Sequence, residues 1–152
     1  MDKILNPWYV TGFADGEAAF TYSRTGGSLA LYFSINQRED NKELIEKIQV
    51  FFGYIGKIYH KKGSLPTVNS GHTKAAAYYR ITRISELQVI VQHFDKYPLQ
   101  SQKKLEAYKV WREMVIHKAE NYRSTNYDIL HQLAEKLSNL NLKSSAFNVH
   151  KR

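Results

Sequence analysis

The sequence predicts a single α+β domain spanning 1–152, with order α-ββα-ββα, one four-stranded antiparallel sheet and C-terminal helices. Three observations carry this prediction. First, "YFSINQREDNKELIEKIQVFF" from Tyr32 and "YYRITRISELQVIVQHF" from Tyr78 repeat one pattern, an alternating strand followed by a helix with apolar residues at helical spacing. Second, a further strand candidate precedes each unit across a turn. Third, 152 residues suit one domain, which would bury about two-thirds of its unfolded surface in one core.

The first element is a short helix over Trp8–Gly16, entered through Pro7, a residue suited to an early helical position. Gly12 and Gly16 fall on one face, with Val10, Phe13 and Ala14 supplying apolar surroundings. Each glycine costs a helix roughly 0.5–1 kcal/mol relative to alanine, which close packing against a second helix can offset. The segment has no second copy in the chain, so the expected partner is the same helix of another copy across a two-fold axis. Gly12, Phe13 and Gly16 are then the dimer interface.

Next come "AAFTYSR" at 18–24, a hairpin turn at Gly26 and Gly27, and a strand in which Leu29, Leu31, Phe33 and Ile35 alternate with Ser28, Ala30, Tyr32, Ser34 and Asn36. Asp40-x-x-Glu43 reads as a capping box opening a helix that buries Leu44, Ile48 and Phe51. The second unit starts with a strand in "YIGKIYHK" at 54–61 and a polar loop containing Gly63, Pro66 and Gly71. In the strand that follows, Ala75, Ala77, Tyr79 and Ile81 oppose Lys74, Ala76, Tyr78, Arg80 and Thr82. Ser85-x-x-Gln88 reads as the second capping box, before Leu87, Val91 and Phe94. After Pro98 a helix presents Leu105, Tyr108, Trp111 or Arg112, and Val115. The chain breaks at "ENYRSTN" and ends in a helix with the stripe Ile129, Leu133, Leu137 and Leu140.

Helices on one face of such a sheet leave the other face polar, aromatic and basic. Lys57, Tyr59 and Lys61, or else His60 and Lys62, join that face according to a register the sequence leaves open. With 22 Lys+Arg against 14 Asp+Glu the formal charge is +8, which favours polyanionic partners, nucleic acid first. An antiparallel ribbon fits the roughly 12 Å major groove of DNA, where such side chains meet base edges and phosphates. Double-stranded DNA is therefore the expected partner, through Ser28, Ala30, Tyr32, Ser34, Asn36, Arg38, Lys57, Tyr59, Lys61, Lys74, Tyr78 and Arg80.

No apolar run reaches the roughly 20 residues of a membrane span, and "MDKILNPW" has no signal-peptide core, so no membrane partner and an intracellular, non-secreted protein are expected. Zero cysteines exclude disulfides, thiolate zinc sites and a cysteine nucleophile. The six histidines show no HExxH spacing and read as surface or DNA-contact residues. Nothing in the sequence calls for an organic cofactor. The helix ends near Glu17, so two copies would bring two carboxylates together at the axis. Their repulsion is relieved by a divalent cation, which with phosphate oxygens supports phosphodiester hydrolysis. Asp15 reads more simply as a cap.

"VTGFADGEAAF" resembles the signature of the LAGLIDADG homing endonucleases, and the α-ββα-ββα order is that of the family's single-motif members. The resemblance extends over nearly the whole chain, including "YPLQSQKKLEAY" and "LAEKLSNLN". It implies that the sheet is the family's β-saddle. Gly12 matches the helix-packing glycine, Asp15 the first acidic position, Gly16 the small residue between, and Glu17 the second acidic position, which ligates metal. Ala18 stands where the motif usually ends in glycine and, by the resemblance, joins Glu17 as a metal-binding position; a positive φ there would strain alanine. Gln37 matches a polar residue that organises water. One of Gln102, Lys103 and Lys104 matches the group near the scissile phosphate, with Gln102 favoured and Lys103 next.

The resemblance further implies a homodimer using Mg²⁺, with Mn²⁺ as a substitute or Ca²⁺ in an uncleaved complex. It implies a long, near-palindromic DNA target of about two turns, short 3′ overhangs and intron mobility. Cytoplasm, nucleoid or an organelle would be its location. RNA maturases and DNA-binding regulators share the scaffold and form the rival reading. The absence of a linker after "LNLKSSAFNVHKR" favours a self-sufficient dimerising unit over one half of a two-motif protein.

Overall fold

A computed structural model describes residues 3–63 and 74–142. Helix α1, Pro7–Glu17, opens where the Asn6 side chain accepts a hydrogen bond from the Trp8 amide at 2.8 Å, with Pro7 in the first turn. The chain passes directly into β1 (Ala18–Thr25), turns through Gly26 (φ 52°) and Gly27 (φ 86°), and returns as β2 (Ser28–Arg38). Two successive positive φ angles match the twist of a two-residue hairpin. A 3₁₀ turn, Glu39–Asn41, leads to α2 (Lys42–Phe51), followed by β3 (Lys57–Lys61), β4 (Ala76–Ile81), α3 (Ile84–Lys96), α4 (Gln102–Glu120) and α5 (Tyr127–Leu142). The observed order is the expected α-ββα-ββα followed by the two expected C-terminal helices.

The strands form one antiparallel sheet in the order β1-β2-β4-β3. Ala18 pairs with Ile35, Phe33 with Ile81 and Ile58 with Tyr79, so one parity of every strand faces the helices. Phe20, Leu31, Phe33, Ile35, Tyr79 and Ile81 are buried there against Ile45 and Ile48 of α2, Leu87, Ile90 and Phe94 of α3, and Trp111, Met114 and Val115 of α4. Each large apolar side chain so buried contributes roughly 1.5–3 kcal/mol. Phe20 is the hub, with ring centroids of Phe33, Phe94, Tyr108 and Trp111 at 5.1–5.3 Å. Trp111 is fully buried and its indole donates to the Thr21 carbonyl, which settles the choice between Trp111 and Arg112. Arg112 instead binds Asp95 through two nitrogens.

Several expectations are corrected. Neither capping box forms: Asp40 lies in the 3₁₀ turn and α2 starts after Asn41, while α3 starts after Arg83, and neither cap makes a side-chain bond. The stripe of α5 runs through Leu130, Ala134 and Leu137, with Leu133 and Leu140 partly buried and Ile129 exposed. Asn126 sets that phase: its side chain accepts from the Asp128 and Ile129 amides while its own amide donates to His117 Nε2. β3 begins at Lys57 rather than Tyr54, because Gly53, Tyr54 and Gly56 all have positive φ and turn the chain. At Gly56 a Cβ would lie 2.8 Å from the Arg80 carbonyl, so only glycine lets this turn close against β4. The loop residues Pro66 and Gly71, and His72 and His150, lie outside the described residues.

Candidate active site and nucleic-acid face

Glu17 is the last residue of α1, exposed, and makes no hydrogen bond or ion pair among the described residues. A helix C-terminus carries partial negative charge, so a carboxylate there favours a neighbouring cation. Ala18 has φ −85°, extended backbone that alanine adopts freely, so the motif's final glycine is not needed here. Its amide closes the helix on the Ala14 carbonyl, and its own carbonyl accepts a hydrogen bond from Lys104 Nζ. Asp15 accepts from the amides of Gln100 at 2.7 Å and Ser101 at 3.0 Å, tying the end of α1 to the start of α4. This is the capping role expected of it. Burial pushes the Lys104 ammonium below its usual range, while the charges of Asp15 and Glu17 oppose the shift.

Near Glu17 in sequence, Asp15 and Ala18 border a cavity of about 430 Å³ whose walls also include Thr21, Lys103, Lys104 and Leu140. Of the three alternatives at the start of α4, Lys104 is the one brought to the end of α1. Gln102 turns along its own helix to donate to Glu106 at 3.3 Å, and Lys103 lines the cavity without a hydrogen bond among the described residues. The Gln37 Oε1 accepts from Asn41 and its amide nitrogen donates to the Asn36 carbonyl, so the side chain folds back on the 3₁₀ turn. It stands two positions beyond Ile35, the partner of Ala18.

The donors suit a hard divalent cation in type, since Glu17 offers a carboxylate with no partner among the described residues and Ala18 a backbone carbonyl, which Lys104 Nζ must release for a cation to bind there. They are too few alone. Among the described residues no three His, Asp or Glu side chains gather into a metal site, and Asp15 is engaged by two amides. The set fits such a cation as half of a site.

On α1, Val10, Thr11 and Ala14 turn into the core, and Gly12 and Gly16 turn out with nothing within 4 Å of an added Cβ. Val10 and Ala14 therefore do not surround the glycines as expected. Phe13 is half-buried and stacks on Tyr9 at 6.4 Å, and Trp8 and Tyr9 are left 52% and 49% exposed. Beneath the helix, the Thr11 hydroxyl donates to the Tyr97 carbonyl at 2.8 Å. Its single proton is thus committed, so the 3.0 Å contact with His93 Nε2 has the imidazole as donor. His93 is buried among Phe51, Phe52, Phe94 and Tyr97, which corrects its assignment to the surface. Burial lowers its pKa to about 4.

The other sheet face collects the opposite parity. Lys57 pairs with Arg80, Tyr59 with Tyr78 and Lys61 with Ala76, which selects Lys57, Tyr59 and Lys61 over His60 and Lys62. Ser34 pairs with Arg80, Asn36 with Tyr78 and Arg38 with Ala76. Ser28, Ala30 and Tyr32 continue the face opposite Thr25, Ser23 and Thr21. Lys74 is exposed just before β4. Ser34 differs from expectation: it points to this face but is 9% exposed, because its short side chain lies below larger neighbours. None of these outward strand positions is Asp or Glu.

An αββαββα chain whose first helix ends in a carboxylate near a lysine, with no Asp or Glu at the outward strand positions among the described residues, fits the LAGLIDADG class of fold. The family model described as LAGLIDADG endonuclease matches residues 10–115, and the chain belongs to that family. It is similar to an uncharacterised 50.9 kDa protein in ND4 intron 1 of Podospora anserina, 31% identical over 123 residues, covering 75% of this chain and 24% of that protein. Among solved structures it is similar to the LAGLIDADG meganuclease I-AabMI bound to uncleaved DNA, with TM-score 0.67 and 30% identity, covering 85% of this chain and 42% of the other. It is likewise similar to I-SmaMI bound to uncleaved DNA in the presence of calcium ions, with TM-score 0.67 and 26% identity, covering 96% of this chain and 48% of that one. The chain thus spans about a quarter of the curated relative's length and less than half of either solved structure.

Proposed function

We propose that the chain is a divalent-metal-dependent, site-specific DNA endonuclease of the intron-encoded kind, acting as a homodimer on a long, near-palindromic duplex. The observation that carries this reading is the Glu17 carboxylate, without a partner among the described residues, near Lys104 at the end of a helix whose other face is open at Gly12 and Gly16. One chain offers half of an oxygen-donor set. A second copy, packed glycine to glycine across a two-fold axis, brings a second Glu17 and a second saddle, and its symmetry is matched by near-palindromic half-sites. The DNA-bound state of I-AabMI and I-SmaMI supports the choice of polymer, and the presence of calcium ions with I-SmaMI on an uncleaved target supports the choice of a divalent cation.

In the proposed reaction a water oxygen bonds to phosphorus as the bond to the leaving oxygen breaks, the water giving up a proton to solvent and the leaving oxygen taking one from solvent. Glu17 and the Ala18 carbonyl would hold Mg²⁺, which when bound supplies charge neutralisation at the phosphate and a more acidic water. The Lys104 ammonium is placed to donate to a phosphate oxygen as negative charge grows on it. The Asp15 contacts fix Lys104 and Glu17 relative to one another. Gln37, Gln102 and Lys103 take supporting parts, with Lys103 adding positive charge at the cavity wall. The saddle binds the duplex before and after the cut.

The test is selection of cleaved sites from a randomised palindromic duplex library in Mg²⁺, comparing wild type with Glu17→Gln, with binding followed in Ca²⁺. Site-selective cleavage that disappears in the variant while binding persists is the expected result. Cleavage by neither protein, with selective retention of folded RNA, would overturn the reading in favour of a maturase. Sedimentation velocity tests the dimer, and a monomer on cognate DNA would sink it.

A further inference from the structure

We propose that Arg80 is a guanine-reading residue of the saddle, held ready in its reading pose by Tyr32 and Tyr78. The inference rests on the duplex-binding function above. Its guanidinium lies 4.4 Å from the Tyr32 ring centroid and 5.6 Å from that of Tyr78. Tyr78 is itself braced by Tyr59, the rings stacked at 5.0 Å and 16°. Stacking on aromatic faces is a known preference of arginine, and it removes side-chain freedom before a ligand arrives. Arg80 Nε is buried with no hydrogen-bond partner among the described residues, and no carboxylate there forms an ion pair with the side chain. Burial keeps Nε out of a ligand's reach, so the donors a duplex could meet are the terminal Nη groups of this stacked, partly exposed side chain, which make no hydrogen bond among the described residues.

Position within the sheet separates a base from a phosphate as that object. In the order β1-β2-β4-β3, β4 is an inner strand and β3 an edge. With the sheet laid into a major groove, an inner strand would lie over the groove floor, and Lys57, the cross-strand partner of Arg80 on edge strand β3, and Lys61 would lie nearer the rims where the phosphates run. Across the strand from Arg80 stands Ser34, too small to fill the space in front of it. A fork of parallel N–H donors matches one base edge of the major groove above all others, the O6 and N7 acceptors of guanine. The outward strand positions carry no acid that would compete for those donors.

The experiment is enrichment of a randomised duplex pool by binding in Ca²⁺, with wild type, Arg80→Lys and Arg80→Ala, all first checked for unchanged thermal melting. Wild type should enrich guanine at one position of each half-site, by roughly 5- to 150-fold over other bases. Arg80→Lys keeps the charge and the salt dependence but not the fork, so this one preference should collapse toward unity while the rest of the site is still selected. Arg80→Ala should lose the same preference and some overall affinity. Guanine enrichment that survives in both variants, or uniform weakening on all sequences with every preference intact, overturns the inference and makes Arg80 a phosphate contact. A wild type that selects a site without any such guanine overturns it too. A wild type that selects no duplex at all removes the endonuclease reading, and this inference with it.

Discussion

Lys104 and Lys103 are adjacent lysines at the start of the same helix, yet only the first donates to the Ala18 carbonyl. Replacing Lys104 with glutamine should lower the cleavage rate by about 10²–10³-fold, the usual effect of removing one stabilising donor, while binding in Ca²⁺ changes little. Single-turnover cleavage and equilibrium binding measured side by side check this. His93 provides a second residue-scale prediction. Its folded-state pKa near 4 lies below the ordinary 6.5, so the neutral ring is favoured in the fold. Stability is complete above pH 6.5 and falls as pH drops toward 4, where the unfolded chain binds a proton the fold excludes, a loss of up to about 3 kcal/mol. Urea melts at pH 7 and pH 4.5 should show it in wild type and not in His93→Gln. Neither residue was legible in advance. Which of three neighbouring polar residues faces α1 depends on how α4 is rotated against it, and a lone histidine on a helix looks the same whether Thr11 waits for it or not. Glu17 stood out because its position after a glycine-bearing helix is local.

At the scale of elements, α1 combines poor helix residues with an open face. Nothing surrounds Gly12, so Gly12→Ala should raise the stability of the isolated chain by up to about 1 kcal/mol through helix propensity. The same methyl should weaken self-association, because it holds two helices apart. Thermal melts of dilute protein and sedimentation at several concentrations separate these opposite effects; alanine that leaves association untouched would remove α1 from the interface. The strands were readable from their period of two, including which side chains face outward on β2 and β4. The register of β3 was not, since alternation in "KIYHK" suits either parity until pairing with β4 selects one. The capping boxes misled because sequence spacing places a cap only when the preceding turn is known. Asp40 belongs to a 3₁₀ turn held by the Glu39 amide on the Ala75 carbonyl.

For the whole molecule, the formal charge of +8 and outward strand positions without acids predict that the proposed DNA binding is steeply salt-dependent. A contact to six or more phosphates would cost roughly 10³-fold in binding between 50 and 200 mM salt. Each of Lys57→Ala and Lys61→Ala should reduce the slope of log K against log salt by about one if these side chains meet phosphates. Salt titrations of the variants measure this directly. The overall α+β architecture, the dominance of positive charge and the acidic end of α1 could all be read from composition and periodicity. The cavity beside Lys104 could not, because it joins residues more than eighty positions apart through the amides that Asp15 accepts.

The alternating register of the sheet has a consequence for how such a chain changes over generations. Every second residue of β2 and β4 holds up the core, and the residues between them touch it little. A substitution at an outward position can therefore alter what the chain recognises while leaving folding nearly unaffected, whereas gain or loss of one residue within a strand exchanges the two sets and destroys both. Recognition is free to drift by replacement and closed to drift by insertion.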